Sequence, residues 1–477
     1  MGRAMHARNP RTGALDYAFT AADEADVAAA CQALRQAQPA WAALGVEARF
    51  AVLERFADAI ERHQDALAQA VSADTGRWLM ALSETRNVRP ALARWRRYAP
   101  EVLAETRAQS QAIPSIHYAQ QLVPFPVVGV ISPWNFPLLL SLIDALPALV
   151  AGCSVAIKPS EVTPRFAEPL ARAISEVPEL AGVLTLLPGD GRTGAALVEQ
   201  VDLICFTGSV ATGRKVGEAC ARAFIPAFLE LGGKDPAIVL ASADPQRAAE
   251  TVLRASVLAT GQACQSLERV YVHTSLYQPF VEHLVAQARQ VELSYPDIHR
   301  GIVGPLIFER QAEIIAGQLA DAVARGAEIR CGGEIEHHGG GLWIRPTVLT
   351  GVTHEMQIMT EETFGPIMPV MAFDSEEQAV RLANDSLYGL SAAVFAGSVE
   401  EGERIGRQLE VGGVSINDGS LTAQVFEAEK HSFRLSGLGG SRMGPAGLAR
   451  FFRKKALFLQ TGEPLPIGAF AEEQAVS

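Results

Sequence analysis

Val127-Val-Gly-Val-Ile-Ser-Pro-Trp-Asn-Phe-Pro137 decides how this chain folds. Its first five residues are apolar without polar alternation, the mark of a strand buried on both faces. A Ser-Pro turn closes the run, and an apolar helix opens at Leu138. The texture repeats in Ser154-Val-Ala-Ile157, Val183-Leu-Thr-Leu-Leu187, Leu203-Ile-Cys-Phe206 and Ala237-Ile-Val-Leu240, with helical stretches between. Buried strands alternating with helices predict an α/β fold with a parallel sheet covered on both faces.

Upstream, residues 21–106 read as helical. Val27, Cys31 and Leu34 share one face, and Phe50, Leu53, Phe56, Ala57 and Ile60 continue the period. Downstream, a second α/β series runs through a strand at Arg269-Val-Tyr-Val-His273, helices over 278–291 and 308–325, and strands over 392–395 and 413–416. Residues 115–123 and Lys455-Ala-Leu-Phe-Leu-Gln460 read as edge strands. Exposed apolar edges invite pairing with another chain, so a homodimer or homotetramer is expected.

The 477 residues exceed one ordinary core, which predicts two or three domains. A 48 % hydrophobic, 20 % charged composition is globular. A net charge of -12 with no long basic run argues against nucleic acid or an anionic membrane as partner. Six cysteines without a CxxC pair argue against a disulfide framework or a metal site and suit a reducing cytoplasm. Residues 1–19 lack an apolar signal segment. Asp144 and Pro147 interrupt the most apolar stretch, 136–155, so it reads as a buried helix, not a membrane span.

Two glycine-rich turns are candidate phosphate sites. Gly189-Asp-Gly-Arg-Thr-Gly194 has the GxGxxG spacing but no acid about 20 residues on, and a plain turn explains it as well. Phe206-Thr-Gly-Ser-Val-Ala-Thr-Gly213 joins a strand to a helix, with Ser209 at the helix start, where amides and dipole suit pyrophosphate; an ordinary capped helix is the alternative. Lys158 and Glu161 follow a buried strand, where ligands of parallel sheets bind, though a surface ion pair would look the same.

Glu230-Leu-Gly-Gly-Lys234 and Gly261-Gln-Ala-Cys264 set a carboxylate and a thiol among small residues. A thiolate attacks a carbonyl carbon, and a carboxylate activates the water that later frees the acyl group. Asn135, fixed between bulky residues and prolines, offers a side-chain amide to an oxyanion.

With Pro133-Trp-Asn-Phe-Pro137, Ile157-Lys-Pro-Ser-Glu161, Phe206-Thr-Gly-Ser209, ELGGK, GQAC and Glu361-Glu-Thr-Phe-Gly-Pro366 in one order, the chain resembles the NAD(P)-dependent aldehyde dehydrogenase superfamily from about residue 10 to 460. The resemblance implies a Rossmann-type cofactor domain (residues 1–110 and 125–231), an α/β catalytic domain (232–435) and a small β oligomerisation segment (111–124 and 436–477). It implies Cys264 as nucleophile, Asn135 with the Cys264 N–H as oxyanion donors, and Glu230 as the base that activates hydrolytic water. Lys158 and Glu161 would take the adenosine ribose and Gly191 the adenine side. Ser209 and Thr212 would take the pyrophosphate, and Glu362 and Phe364 the nicotinamide ribose. Ile131, Trp134, Leu231 and Gln311 complete the implied cofactor contacts. Glu161 would repel a 2′-phosphate, which favours NAD while leaving NADP open.

Two stretches depart from the best-known branch of that family. Its glutamate after SG-x-G, paired with a lysine on the helix after PWNFP, is replaced here by stretches reading Gly439-Gly-Ser-Arg-Met-Gly444 and Leu142-Ile-Asp144. The loop 421–435 also differs. Phe136, Leu139, Leu140, Ile143, Gln265, Phe426 and Phe433 are the expected walls of a largely apolar tunnel for an aliphatic or aromatic aldehyde. Lys430 and Arg434 keep a semialdehyde open, and a CoA-acylating enzyme is the other alternative; Glu230 speaks against the latter.

Overall fold

The computed structural model describes residues 2–472. Among these residues the first sheet has six strands, in the order Gly437–Leu438, Ala227–Glu230, Leu203–Thr207, Val127–Ile131, Ser154–Lys158 and Leu184–Leu186, all parallel except the first. Val127–Ile131 lies inside the sheet, and strand order reverses beside it. Every residue of that strand and of Ser154–Lys158 is buried, as unbroken apolar runs require. The reversal opens a crevice at the carboxyl ends of Val127–Ile131 and Leu203–Thr207, the place where such sheets bind ligands.

The second sheet has seven strands among the described residues, ordered Glu328–Cys331, Thr347–Thr350, Ile367–Phe373, Leu267–His273, Asp235–Val239, Ser391–Phe395 and Gly413–Ile416. Asp235–Val239 begins five residues after Glu230 ends the first sheet's strand, so the turn Leu231-Gly-Gly-Lys234 passes directly from one sheet to the other.

Helices Glu24–Ala43, Val46–Arg62, Gln64–Thr75, Trp78–Thr85 and Val88–Val102 fill the expected helical region. Phe50, Leu53, Phe56, Ala57 and Ile60 are buried, joining Leu138, Leu142 and Leu146 of the helix Pro137–Ala151 in one core. Burying each such side chain contributes about 1.5–3 kcal/mol.

Two features differ from the sequence reading. A hairpin of Arg3–Arg8 and Leu15–Ala21 precedes the helices. Leu15, Tyr17, Phe19 and Ala21 alternate along the second strand, but Arg3–Arg8 is mostly exposed and has no such alternation, so the pair does not read as a hairpin. Residues 115–123 do not form an edge: Ile116–Pro124 is the middle strand of a three-stranded sheet, between Phe452–Gln460 and Thr106–Gln109. The polar sequence Thr106-Arg-Ala-Gln109 has no strand signature, which is why the middle strand looks like an edge in sequence. Phe452–Gln460 is an edge, with Leu457, Phe458 and Leu459 exposed.

Candidate active site

At the sheet crevice the two glycine-rich turns separate by charge. Ser209 caps the helix Val210–Ala223, its Oγ accepting from the Thr212 N–H at 3.3 Å, and both residues are exposed. No acid lies in that first turn, so the free helix amides face outward as an anion site. Gly213 lets this helix approach closely: a Cβ there would lie 2.5 Å from the Leu231 side chain. The GxGxxG turn is different. Asp190 caps the helix Gly191–Val198 with its own carboxylate, paired with Arg3, so negative charge already occupies that end. Gly191 faces open space. Lys158, buried at its strand's carboxyl end, donates from Nζ to Glu161 Oε2 at 3.0 Å, and Glu161 reaches solvent. Ile131 is buried beside them, and Trp134 is half-buried at the crevice. These residues fit a dinucleotide.

The turn carrying Cys264 is held in an unusual backbone. Ala259, Thr260 and Gly261 have φ of 54°, 63° and 66°, a left-handed run that costs about 1–3 kcal/mol for each non-glycine residue. Gly261 is required, because a Cβ would sit 2.3 Å from the Gly365 carbonyl carbon. Buried Arg77 clamps this turn to the first sheet, donating to the Ala259 carbonyl at 2.9 Å and to the Asn135 carbonyl. Asn135 Nδ2 donates to the Gln262 carbonyl at 3.0 Å, leaving its second N–H for another acceptor. Arg77 escaped the sequence reading because one arginine in a helical stretch looks like surface charge.

Gly232 and Gly233 explain why ELGGK needs its glycines. A Cβ on Gly233 would lie 2.8 Å from the Cys264 carbonyl oxygen, and one on Gly232 would lie 2.6 Å from the Glu362 carboxylate. The turn therefore brings Glu230, Cys264 and Glu362 to one place. Glu362 accepts from the Gly233 N–H at 3.0 Å, and burial pushes its carboxyl up to about 8. Phe364, at φ 53°, packs edge-on against Trp134 with ring centroids 5.3 Å apart. A buried carboxylate missed by sequence, Glu268, binds the Thr363 and Phe364 N–H groups at 2.8 and 2.7 Å and the Lys234 ammonium at 2.8 Å. Gln311 lies behind this loop, its Nε2 donating to the Thr363 carbonyl at 2.5 Å, so it braces Glu362 and Phe364 from the rear. Leu231 is buried, its N–H donated to the Ser436 carbonyl at 2.9 Å.

The aldehyde dehydrogenase family's sequence model matches residues 2–457. This chain belongs to the aldehyde dehydrogenase family. It is 37 % identical over 459 residues to a Mycolicibacterium smegmatis protein provisionally named succinate-semialdehyde dehydrogenase [NADP(+)], covering 95 % of this chain and 89 % of the relative. A solved structure from Anabaena variabilis, provisionally described as aldehyde dehydrogenase PutA, is similar at 51 % identity and TM-score 0.95, covering 98 % of this chain and 99 % of that one. The Mycobacterium tuberculosis aldehyde dehydrogenase complexed with NAD+ is similar at 31 % identity and TM-score 0.89, covering 97 % and 96 %. The protein is an oxidoreductase that acts on small-molecule aldehydes with NAD(P).

In this aldehyde dehydrogenase the helix Pro137–Ala151 starts on buried Glu84, whose Oε2 accepts from the Leu138 and Leu139 N–H groups at 3.0 and 2.9 Å. Burial pushes that carboxyl up to about 7. Phe136, Leu139 and Leu140 are half-buried on the helix's first turn, Phe136 beneath the Arg77 guanidinium at 5.0 Å, and Ile143 is buried. Phe426 stacks under Arg94 at 4.2 Å, and Gln265 Oε1 accepts from Thr422 Oγ1 at 2.6 Å. Phe433 is exposed and pairs along the backbone with Gly389, so it lies outside any closed wall. Arg434 is engaged by the Asn384 and Ser386 carbonyls and by Glu410.

Behind Glu230 this aldehyde dehydrogenase carries an ion pair of opposite sense to the branch described above. Buried Asp144, on the helix after PWNFP, accepts from Arg442 at 3.1 and 2.8 Å and also from Arg450. Arg442 also donates to Thr207 Oγ1 at 2.6 Å, and Thr207 stands opposite Glu230 in the sheet. The helix thus holds the acid, and the segment after Gly437–Leu438 holds the base. All six cysteines, each among the described residues, are free thiols, and Cys153 and Cys205 are core residues. Among the described residues no helix is long and apolar enough to cross a membrane.

Proposed function

We propose that Cys264 adds to the aldehyde carbon, that Asn135 Nδ2–H and the Cys264 N–H hold the resulting oxyanion, and that Glu230 activates the water that releases a free carboxylic acid. The observation that supports this reading is the packing of Gly233 against the Cys264 carbonyl, with Asn135 Nδ2 donating to the Gln262 carbonyl two residues before it. Among the described residues, the Glu230 carboxylate accepts one long hydrogen bond, from Ser432 Oγ to Oε2 at 3.2 Å, and keeps lone pairs for water. NAD(P), when bound, supplies the hydride acceptor. Ser209 and Thr212 would hold its pyrophosphate, Lys158 and Glu161 its adenosine ribose, and Glu362 its nicotinamide ribose. Trp134 and Phe364 close one side of the crevice and keep water from it.

Glu230→Gln keeps acylation and removes the base. It is expected to show a burst of NAD(P)H equal to the enzyme present, then steady turnover about 10²–10⁴-fold slower. An unchanged steady rate would refute the assignment. Free acid formed by the wild type without CoA supports hydrolysis over CoA acylation.

On this reading the Glu161 carboxylate would repel a 2′-phosphate on the adenosine ribose, which favours NAD over NADP. Glu161→Ser is expected to raise the NADP/NAD ratio of kcat/KM by about tenfold or more, roughly 1.4 kcal/mol. An unaltered ratio would place the adenosine elsewhere.

The half-buried apolar face of Phe136, Leu139 and Leu140 favours an apolar aldehyde, while the name of the Mycolicibacterium relative favours a carboxylated one. Steady-state kinetics over short, long, aromatic and carboxylated aldehydes separate the two. The exposed edge Phe452–Gln460 supports a homodimer or homotetramer, measurable by light scattering, and the free thiols suit the cytoplasm.

A further inference from the structure

Glu268 lies in Leu267–His273, the middle strand of the second sheet, four residues after Cys264. It is buried. One of its carboxylate oxygens accepts from the Thr363 N–H and from Lys234 Nζ, each at 2.8 Å, and the other accepts from the Phe364 N–H at 2.7 Å. Consecutive backbone N–H groups turned toward one anion make a concave anion site. Here the anion is a side chain of the protein itself. Phe364 stands at φ 53°, a left-handed conformation that a residue other than glycine keeps only where its surroundings hold it.

The segments around Glu362 are bonded to the same carboxylate or to its partners. Lys234 ends the turn Leu231-Gly-Gly-Lys234, whose Gly233 N–H donates to Glu362 Oε1 at 3.0 Å. Arg269, next to Glu268 on the strand, donates from Nε to the Lys234 carbonyl at 2.8 Å. Lys234 Nζ also donates to Thr363 Oγ1 at 2.7 Å, and the Thr363 hydroxyl donates to Gln318 Oε1 at 2.8 Å. Gln318 Nε2 in turn donates to the Glu362 carbonyl at 3.2 Å. Glu362 Oε2 is left without a partner among the described residues. A glutamine at position 268 would turn an amide NH2 toward one of the two backbone N–H donors, so the loop needs the charge of Glu268 as well as its shape.

We propose that Glu268 is a positioning residue for hydride transfer: by anchoring the Thr363 and Phe364 N–H groups to the strand that follows Cys264, it sets the distance between that thiol and the nicotinamide ribose held by Glu362. A misplacement of about 1 Å at a reacting centre costs about a hundredfold in rate. A buried ion pair behind the loop therefore governs a step that it reaches only through Glu362 and Phe364.

This inference rests on Glu362 binding the nicotinamide ribose, and the test separates the two. Removing one charge leaves Lys234 buried and unpaired, so the full-length double variant Glu268→Gln with Lys234→Met is made beside Glu268→Gln, and circular dichroism selects those that fold. Titration calorimetry measures binding of NAD and of ADP, which lacks the nicotinamide half. Stopped-flow fluorescence follows the NADH burst with the fastest aldehyde of the panel above, with and without deuterium at C1. In the folded variants the Kd for NAD is expected to rise about tenfold while that for ADP stays within about twofold, and the burst to slow about tenfold or more with a primary isotope effect. An unchanged NAD-to-ADP affinity ratio, or a burst at the wild-type rate, overturns the positioning role. Glu362→Gln is titrated in parallel. If it alters the ratio and the Glu268 variants do not, only the role of Glu268 falls; if it leaves the ratio at the wild-type value, the placing of the ribose at Glu362 falls first.

Discussion

Replacing Cys264 with alanine is expected to lower kcat for aldehyde-dependent NAD(P)H formation by about 10⁴-fold or more, with the affinity for NAD unchanged within about twofold. The thiol is the group proposed to form the covalent bond, so its loss removes the pathway instead of slowing one step. Asn135 would still bind the aldehyde oxygen, but without an adduct there is no oxyanion to hold. The proposed cofactor contacts come from other elements: Ser209 at a helix start, and Lys158 at a strand end. The left-handed run at Ala259, Thr260 and Gly261 is held by Arg77 and by Gly261 against Gly365, and neither contact involves the Cys264 side chain. The turn therefore survives the substitution. Stopped-flow fluorescence for the burst and titration calorimetry for NAD check both halves, and wild-type turnover in Cys264→Ala would sink the proposed chemistry.

The largest expected loss of stability lies outside that chemistry. Asp144→Asn is expected to destabilise the fold by about 3–5 kcal/mol, the cost of leaving buried charge uncompensated. Asp144 is 1 % exposed and serves as the carboxylate for Arg442 and Arg450 together. Asparagine keeps the shape and one acceptor but removes the charge, leaving two buried guanidinium groups facing one another. Arg450 retains the Phe228 and Phe451 rings at 4.9 and 5.0 Å, a partial compensation of about 1–2 kcal/mol at most. Chemical denaturation of wild type and variant measures the difference, and coincident unfolding curves would show that Asp144 does not carry the arginines. The double substitution Asp144→Leu with Arg442→Met removes charge from both sides and should recover part of the loss.

Much of the active site is legible in the chain because its cause is local. Gly232, Gly233 and Gly261 mark close approaches, and the residues beside them are Glu230, Lys234 and Cys264. Unbroken apolar runs announce the central strands; Lys158 ends one of them, and the turns after two others carry Asn135 and Ser209. Local pattern fails where a strand is polar, as at Thr106–Gln109, or a hairpin is largely uncovered, as at Arg3–Arg8. It fails again for Arg77, Glu84 and Glu268, because an isolated charge reads as surface until its burial is seen.

The sequence by itself determined the two α/β series and the family, and it singled out the side chains proposed to react, since periodicity and glycine placement act over a few residues. Only the tertiary structure decided which charges face one another. Asp144 and Arg442 are 298 residues apart, and their exchanged polarity emerges only when the helix after PWNFP packs against the segment after Gly437–Leu438. The Lys430 ammonium loses its water only when its loop folds back toward Glu230, which Ser432 of the same loop reaches. Burial removes water as the competing partner for these groups, so packing determines which charges must pair.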